Sequence, residues 1–412
     1  MLPSLPTRFV HVEEARRRFG PRVDRLGRFL LAGDPPADAA VEALASRPPA
    51  VRERLVDGVL ARRPGRAPAA LRAFAEAAGE LPFWADLRRA RAGGEVLLRT
   101  GFLGGLVLGF RSLIGGYCSP AGNKPLVFSG RLQQAAPRRL SETARFVSLV
   151  YQPGSLGPGA PGWVAAARVR LMHAQIRRLL RSSPRWRAGE WGEPINQLDM
   201  AGTVLLFSLA LVDGLRTLGV RIGQPACEDV LHLWRVGGWV LGVDPELLCA
   251  TEPEARLLWE LLEATQEPPD ADSRELARAL IESPVHEARS PAERARAERF
   301  LPLAYGLGRC LIGDARADAL GYPRTLWRFA APALRPIVSG TGRITAGLPG
   351  LDRLTLQAGL RYWRRVVSAG LGGEEARFEL PESVAQRTRA GHHARQGRDL
   401  RTAPHAGPTE RA

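Results

Sequence analysis

The chain has 412 residues, of which 45% are hydrophobic and 24% charged, and its formal net charge is +16. This composition is globular and allows one large domain or two smaller ones. Lys124 is the only lysine, so arginine carries nearly all of the positive charge. The arginines are scattered and accompany no helix-turn-helix, zinc-finger or aromatic RNA-binding pattern. We therefore prefer a compositional bias over nucleic-acid binding as their explanation.

The cysteines and the N-terminal sequence indicate the cellular compartment in which the protein is expected. The four cysteines are far apart and form neither a C-x-x-C pair nor a C-x-x-C-H haem-attachment signature: Cys118, Cys227, Cys249 and Cys310. The N-terminus lacks the features of a secretory signal. The most apolar region, 96–117, is interrupted by Arg99 and Arg111, which leaves less than the ~20 uninterrupted apolar residues of a bilayer span. We expect a cytoplasmic location, no transmembrane segment, and a buried helix at 96–117.

Helical periodicity dominates the chain and alternating strand patterns are scarce, so the predicted fold is all-α. In residues 1–80, short helices separated by the proline-containing segments DPPAD and ARRPGRAP predict an N-terminal helical layer. The main domain is expected at 81–380. The polar, arginine-rich remainder, 381–412, has no apolar period and is predicted to be a disordered tail.

Within the main domain, the apolar core is expected between residues 81 and 262. Its predicted helices lie near 83–92, 95–114, 136–151, 162–181, 198–218, 226–241 and 253–263. A loop at 266–273 follows, and further helices are predicted near 274–282, 291–300, 301–318, 323–330 and 351–369. In the segment 192–219, Asn196 or Asp199 is a candidate cap for a central, almost wholly apolar helix.

The segment ARVRLMHAQIRRLL, residues 167–180, carries His173 in an otherwise ordinary amphipathic helix. At 100° per residue one line of the helix contains Ala166, Val169, His173, Ile176 and Leu180. Arg170 and Arg177 flank the imidazole one turn below and above, and guanidinium groups match carboxylate geometry. A neutral imidazole facing a dry cavity with cationic neighbours is what a haem requires. The alternative is a hydrogen-bonded core histidine.

A second mixed face occurs in RRLSETARFVSLV, residues 138–150. Helical spacing places on one face Arg139, Glu142, Thr143, Phe146 and Val150. Such a face suits a pocket wall, and an ion pair between Arg139 and Glu142 on a half-exposed surface is an equal alternative. A non-haem iron triad needs two histidines and a carboxylate, and His173 has no near partner for one. We expect a structural role for His232, while His392 and His393 lie in the tail.

Five segments together resemble the MpaB and rubber oxygenase (latex-clearing protein) family: YCSPAGNKPLVFSGRL, RRLSETARF, RVRLMHAQIRRLL, GEPINQLDMAGT and HLWRVGGWVLGVDPELL. The resemblance runs from about Phe83 to Arg335. It implies an all-α fold with a globin-like core, extended here by N- and C-terminal helices. It also implies a non-covalent haem b whose iron is bound by the histidine of the R-x-x-H-A segment, which is His173.

The resemblance also implies that Arg139 and Thr143 line the distal side of the haem. Two departures stand out: Glu142 replaces a lysine of the rubber oxygenases, and PAGNKP holds no acid where those enzymes have a distal glutamate. The implied activity is oxygenation of a hydrophobic alkene by dioxygen, with cleavage of the double bond to two carbonyls. A haem-binding sensor or carrier without catalysis is the alternative. Hydroxylation instead of cleavage, the identity of the substrate and the redox partner stay open.

Overall fold

The computed structural model describes residues 4–128, 136–347, 349–370 and 380–381. Throughout these ranges the chain is helical, and the one β-type pairing found there is an isolated bridge between Phe9 and Gln266. The predicted all-α fold is confirmed. The tail predicted at 381–412 lies outside the described residues except for Pro381.

Five α-helices precede the central part of the chain: α1 (Val12–Phe19), α2 (Arg22–Arg28), α3 (Pro35–Glu42), α4 (Pro49–Leu60) and α5 (Ala69–Gly79). Proline begins both α3 and α4, where its missing N–H would in any case have no partner inside the helix. Buried residues of this layer, among them Leu30, Leu44 and Phe74, belong to the same hydrophobic cluster as the central helices. The N-terminal layer therefore completes the main core.

The central part contains ten α-helices: α6 (Leu87–Val107), α7 (Ile114–Tyr117), α8 (Lys124–Phe128), α9 (Ala136–Tyr151), α10 (Pro161–Arg181), α11 (Ala188–Trp191), α12 (Gln197–Phe207), α13 (Leu209–Thr217), α14 (Gln224–Val240) and α15 (Glu252–Ala264). The helices α9 and α10 have the predicted bounds to within one residue. The helix predicted at 198–218 is divided at Ser208, where φ is −110° and ψ is −88°. Asn196 caps α12 by accepting a hydrogen bond from the N–H of Asp199, as predicted.

The C-terminal part contains six α-helices: α16 (Ala271–Ile281), α17 (Ser283–His286), α18 (Pro291–Ile312), α19 (Asp314–Ala319), α20 (Ala330–Gly347) and α21 (Pro349–Gly370). A 3-10 helix, Leu326–Phe329, precedes α20. The helix α18 passes through Pro302 without a break, although two helices were predicted there. The prediction also missed α20.

The helix α6 replaces the two helices predicted at 83–92 and 95–114. It runs on through a π-helical turn, Leu108–Leu113, into α7. Its backbone changes direction at Gly101, where φ is +46° and ψ is −118°. Glycines let it approach its neighbours closely, because a Cβ at Gly93 or Gly94 would collide with the backbone of α14 or α9. The predicted buried helix at 96–117 is buried only in part.

By length and composition alone, two helical stretches could cross a bilayer: Leu87–Tyr117 and Gln197–Thr217. The first stretch meets these criteria although Arg99 and Arg111 interrupt it. The absence of a transmembrane segment stays an expectation. Each stretch contains an apolar segment of 18 residues. In the first stretch 39% of this segment is buried, and in the second 72%. Core helices pass the same test, and both stretches pack against other helices of this chain.

Candidate functional site

The helix α10 carries His173 at its middle and packs against α3, α9 and α14. On the predicted line, Ala166, Val169 and Leu180 are buried, while the imidazole is half-buried. Pro161 occupies the first turn of α10, where proline is tolerated, and small residues fill much of the first half of the helix. The sequence thus folds into a helix of 21 residues that carries His173 and packs against both the N-terminal layer and α9.

The imidazole of His173 is held in its neutral form. Burial, together with the positive charge of Arg177, lowers its pKa to about 4, and the carboxylate of Asp34 opposes this shift. Its Nδ1 atom is buried and forms no hydrogen bond with any residue in the described ranges. A neutral imidazole with a nitrogen that lacks a protein partner has the chemistry of a metal or haem ligand.

The two arginines that flank His173 bind carboxylates of α3. Arg170 donates to both oxygens of Asp34, with Nε–Oδ2 and Nη2–Oδ1 distances of 2.6 and 2.8 Å. Arg177 donates from Nε to Asp38 at 2.8 Å and from Nη1 to the carbonyl oxygen of Ile195 at 2.9 Å. Both guanidinium groups are buried. They therefore tie α10 to the N-terminal layer, and their predicted role as partners of haem propionates stays a prediction.

The predicted distal residues lie on α9, which packs directly against α10. Glu142 and Thr143 are half-buried, so neither points fully into solvent. The backbone of Arg139 is part of α9, but its side chain lies outside the described residues. The structure therefore brings together the two helices that carry the candidate residues. The alternative of an Arg139–Glu142 ion pair involves a side chain outside the described residues.

An aromatic cluster borders the same helices. The ring of Trp234 on α14 stacks on Phe207 with a centroid separation of 5.1 Å and contacts Phe146 and Tyr151 of α9 at 6.1 and 6.2 Å. Trp234 is completely buried. This cluster makes the surroundings of α9 apolar and rigid. Periodicity predicts that each of these rings is buried, but it does not predict that three helices bring them together.

His232 has the structural role that was expected. Its Nε2 atom accepts a hydrogen bond of 3.0 Å from the backbone N–H of Asp86, the residue that caps α6. Burial and the charges of Arg89 and Arg235 lower its pKa, which keeps it a neutral acceptor. His392 and His393 lie outside the described residues. Within the described ranges, no group of three or more His, Cys, Asp and Glu side chains has the arrangement of a metal site.

Known proteins resemble this chain in sequence and in fold. Residues 95–339 match the family described as "ER-bound oxygenase mpaB/B'/Rubber oxygenase, catalytic domain", which is more than half of the chain. The chain belongs to this family. Both candidate helices, α9 and α10, lie inside the matched range, as does His173. The resemblance inferred from the five motifs is confirmed.

Two mpaB and rubber oxygenase relatives can be compared in more detail. A rubber oxygenase of Streptomyces sp. (strain K30) is 31% identical over 193 residues, which is 46% of this chain and 46% of that protein. The chain therefore matches less than half the length of this curated relative. The structure of latex clearing protein LCP in the closed state aligns with a TM-score of 0.66 and 23% identity, over 86% of this chain and 95% of that one. This likeness shows a shared helical fold.

Sequence reasoning missed the acidic partners of the site. Asp34 and Asp38 precede Arg170 and Arg177 by 136 and 139 residues, and no local pattern links the two segments. The one available signal is the prolines that begin α3, which predict a helix start but not its neighbour.

Proposed function

We propose that this protein is a haem b-dependent oxygenase that acts on a hydrophobic alkene of the prenyl or terpenoid class and cleaves its double bond oxidatively. The observation that carries the proposal is the half-buried His173 on α10, whose Nδ1 atom is buried and whose lowered pKa favours the neutral imidazole, inside the matched range of an oxygenase family. Its co-substrate would be dioxygen. The free cysteines of the chain support the proposed cytoplasmic location.

The residues of the chain fit a haem on the basis of the buried Nδ1 atom of His173, which lacks a partner among the described residues. His173 would hold the iron, and Arg139 or Thr143 would donate a hydrogen bond to the substrate dioxygen. Haem iron supplies the activation of dioxygen when it is bound. Glu142 is the candidate proton acceptor, and the aromatic residues around Trp234 would exclude water.

Arg170 and Arg177 act in this proposal mainly as positioning residues. Each already binds a carboxylate of α3, so each holds α10, and with it the imidazole, at a fixed place relative to the N-terminal layer. Their positive charge also favours the neutral imidazole, as the pKa of His173 shows for Arg177. To bind haem propionates as well, these arginines would have to donate from N–H groups that do not already bind Asp34 or Asp38.

The first test is the absorption spectrum of the purified protein supplied with hemin. We expect a porphyrin band for the wild type and its loss in His173→Ala, because the iron would lose its protein ligand. His286→Ala is the matched control, since this histidine lies on the surface with 59% of its side chain exposed, and the band should persist. Folded wild-type protein that stays colourless would refute the cofactor assignment.

The second test is aerobic incubation with a reductant and a polyprenyl substrate. An oxygenase that cleaves the double bond forms aldehyde or ketone products, whereas a haem sensor or carrier forms none. Glu142→Gln is expected to lower turnover by a factor of about 100, in the range of general acid–base catalysis, and to retain haem. Unchanged turnover in this variant would remove Glu142 from the reaction.

A further inference from the structure

A set of five large apolar side chains is exposed on the 3-10 helix Leu326–Phe329 and the first half of α20. We call it the apolar ridge, and its members are Leu326, Trp327, Phe329, Leu334 and Ile337. All are more than half exposed, and Leu326 is 86% exposed. The two elements that carry them pack against each other. Large contiguous apolar patches are uncommon on the surface of a monomer and mark sites of interaction.

The backbone beneath the ridge is firmly held. Thr325 donates from Oγ1 to the carbonyl oxygen of Pro302 at 3.0 Å. A Cβ at Gly306 of α18 would collide with the backbone of Trp327, so the 3-10 helix lies directly on α18. In a 3-10 helix residues three apart project to the same side, which aligns Leu326 with Phe329. The apolar side chains therefore project from a fixed support and not from a loose loop.

In the sequence segment that carries the ridge, every charged residue is positive. Between Asp318 and Asp352 the sequence contains four arginines and no acidic residue. Asp318 already binds Arg309 and Arg324, and Asp352 binds Arg99. These two carboxylates are therefore occupied at either end of the segment.

Two arginines lie within the ridge itself. Arg328 is placed over the ring of Phe329, 4.7 Å from its centroid, and Arg335 is exposed on α20. Neither forms an ion pair with a carboxylate in the described part of the chain. The exposed Arg335 and the half-buried Arg328 therefore add positive charge beside the apolar side chains.

This combination fits an anionic membrane surface better than a second copy of the chain. A two-fold dimer built on the ridge would bring Arg328 and Arg335 of both copies together without an acid between them. A bilayer surface accepts the apolar side chains among its acyl chains and the arginines among its headgroups. Tryptophan prefers that interface, and each arginine near an anionic surface contributes about 1 kcal/mol.

We propose that the apolar ridge inserts into the surface of membranes that contain anionic lipids, so that the protein binds them peripherally. The proposal rests on the surface described above and is independent of the proposed oxygenase reaction.

The test measures flotation of the full chain with lipid vesicles at low ionic strength. We expect binding to phosphatidylcholine vesicles that contain phosphatidylglycerol and much weaker binding to phosphatidylcholine alone. The double variant Trp327→Ser, Phe329→Ser should bind about tenfold more weakly, because it removes the largest apolar side chains of the ridge. The matched control Phe83→Ser, Phe102→Ser removes two phenylalanines that are exposed elsewhere and should bind like the wild type.

A charge variant separates the electrostatic contribution from the apolar one. Arg328→Gln, Arg335→Gln should lower the affinity for anionic vesicles about tenfold and leave the weak binding to neutral vesicles unchanged. Thermal unfolding of every variant verifies that its fold is intact. The proposal is overturned by a wild type that does not float with anionic vesicles, or by a ridge variant that binds like its control. A wild-type dimer that the ridge variant converts to monomers, without vesicle binding, would assign the ridge to a second copy.

Discussion

At the scale of single residues, the carboxylates of α3 are the feature on which the position of His173 depends. Asp34 has both oxygens bonded to the buried Arg170 and also caps α3 through the N–H of Ala37. An ion pair of this kind adds little net stability by itself, because both charges lose their hydration. Removing one partner has a much larger effect, since it leaves the other charge buried and uncompensated.

We therefore expect Asp34→Asn to lower the free energy of unfolding by about 3 kcal/mol, measured by urea denaturation. Glu42→Gln is the matched control, because Glu42 on the same α3 binds Arg178 of the same α10 in an exposed pair. That pair should contribute less than about 1 kcal/mol. Equal effects of the two substitutions would mean that the Asp34–Arg170 pair is not the buried anchor described above.

At the scale of elements, α21 lies on α6 through a glycine contact. A Cβ at Gly359 would collide with the carbonyl oxygen of Leu98, so no side chain fits between the two helices at that point. Alanine ordinarily stabilises a helix relative to glycine by up to about 1 kcal/mol. The tight contact reverses that preference, since the added methyl group can fit only if the helices separate.

Gly359→Ala is expected to lower the free energy of unfolding by about 2 kcal/mol, through displacement of α21. Gly340→Ala on α20 is the matched control, because among the described residues no atom outside its own helix backbone lies within 4 Å of the position that its Cβ would take. This control should keep or slightly raise the stability. Thermal and urea unfolding measure both, and a Gly359→Ala protein as stable as its control would contradict the close packing.

The elements also show which signals the sequence contains. The bounds of α9 and α10 follow from periodicity and from Pro161, and both are confirmed. The division at Ser208 was missed, because the apolar run through it has no local helix breaker. The helix α20 was missed because Pro332, Pro336 and its glycines are typical of a loop.

At the scale of the whole molecule, the all-α class and the family were predictable, whereas the long-range pairs were not. His173 and its helix follow from the local pattern 167–180. Its surroundings depend on helices far away in the sequence, such as α3 with Asp34 and α14 with Trp234. Periodicity identifies which face of a helix is buried but not the helix that covers it. The ridge was not predicted either, because the sequence does not distinguish an apolar residue that another helix covers from one that stays exposed.

The single lysine has a practical consequence. Lys124 donates from Nζ to Asp270 at 2.8 Å and to Asp272 at 2.7 Å, and only 14% of its side chain is exposed. These bonds fasten α8 to the start of α16 and withhold the one side-chain amine from reagents in solution. Acylation of this side chain would therefore follow the opening of that junction, so that a label on Lys124 reports local unfolding at one defined point.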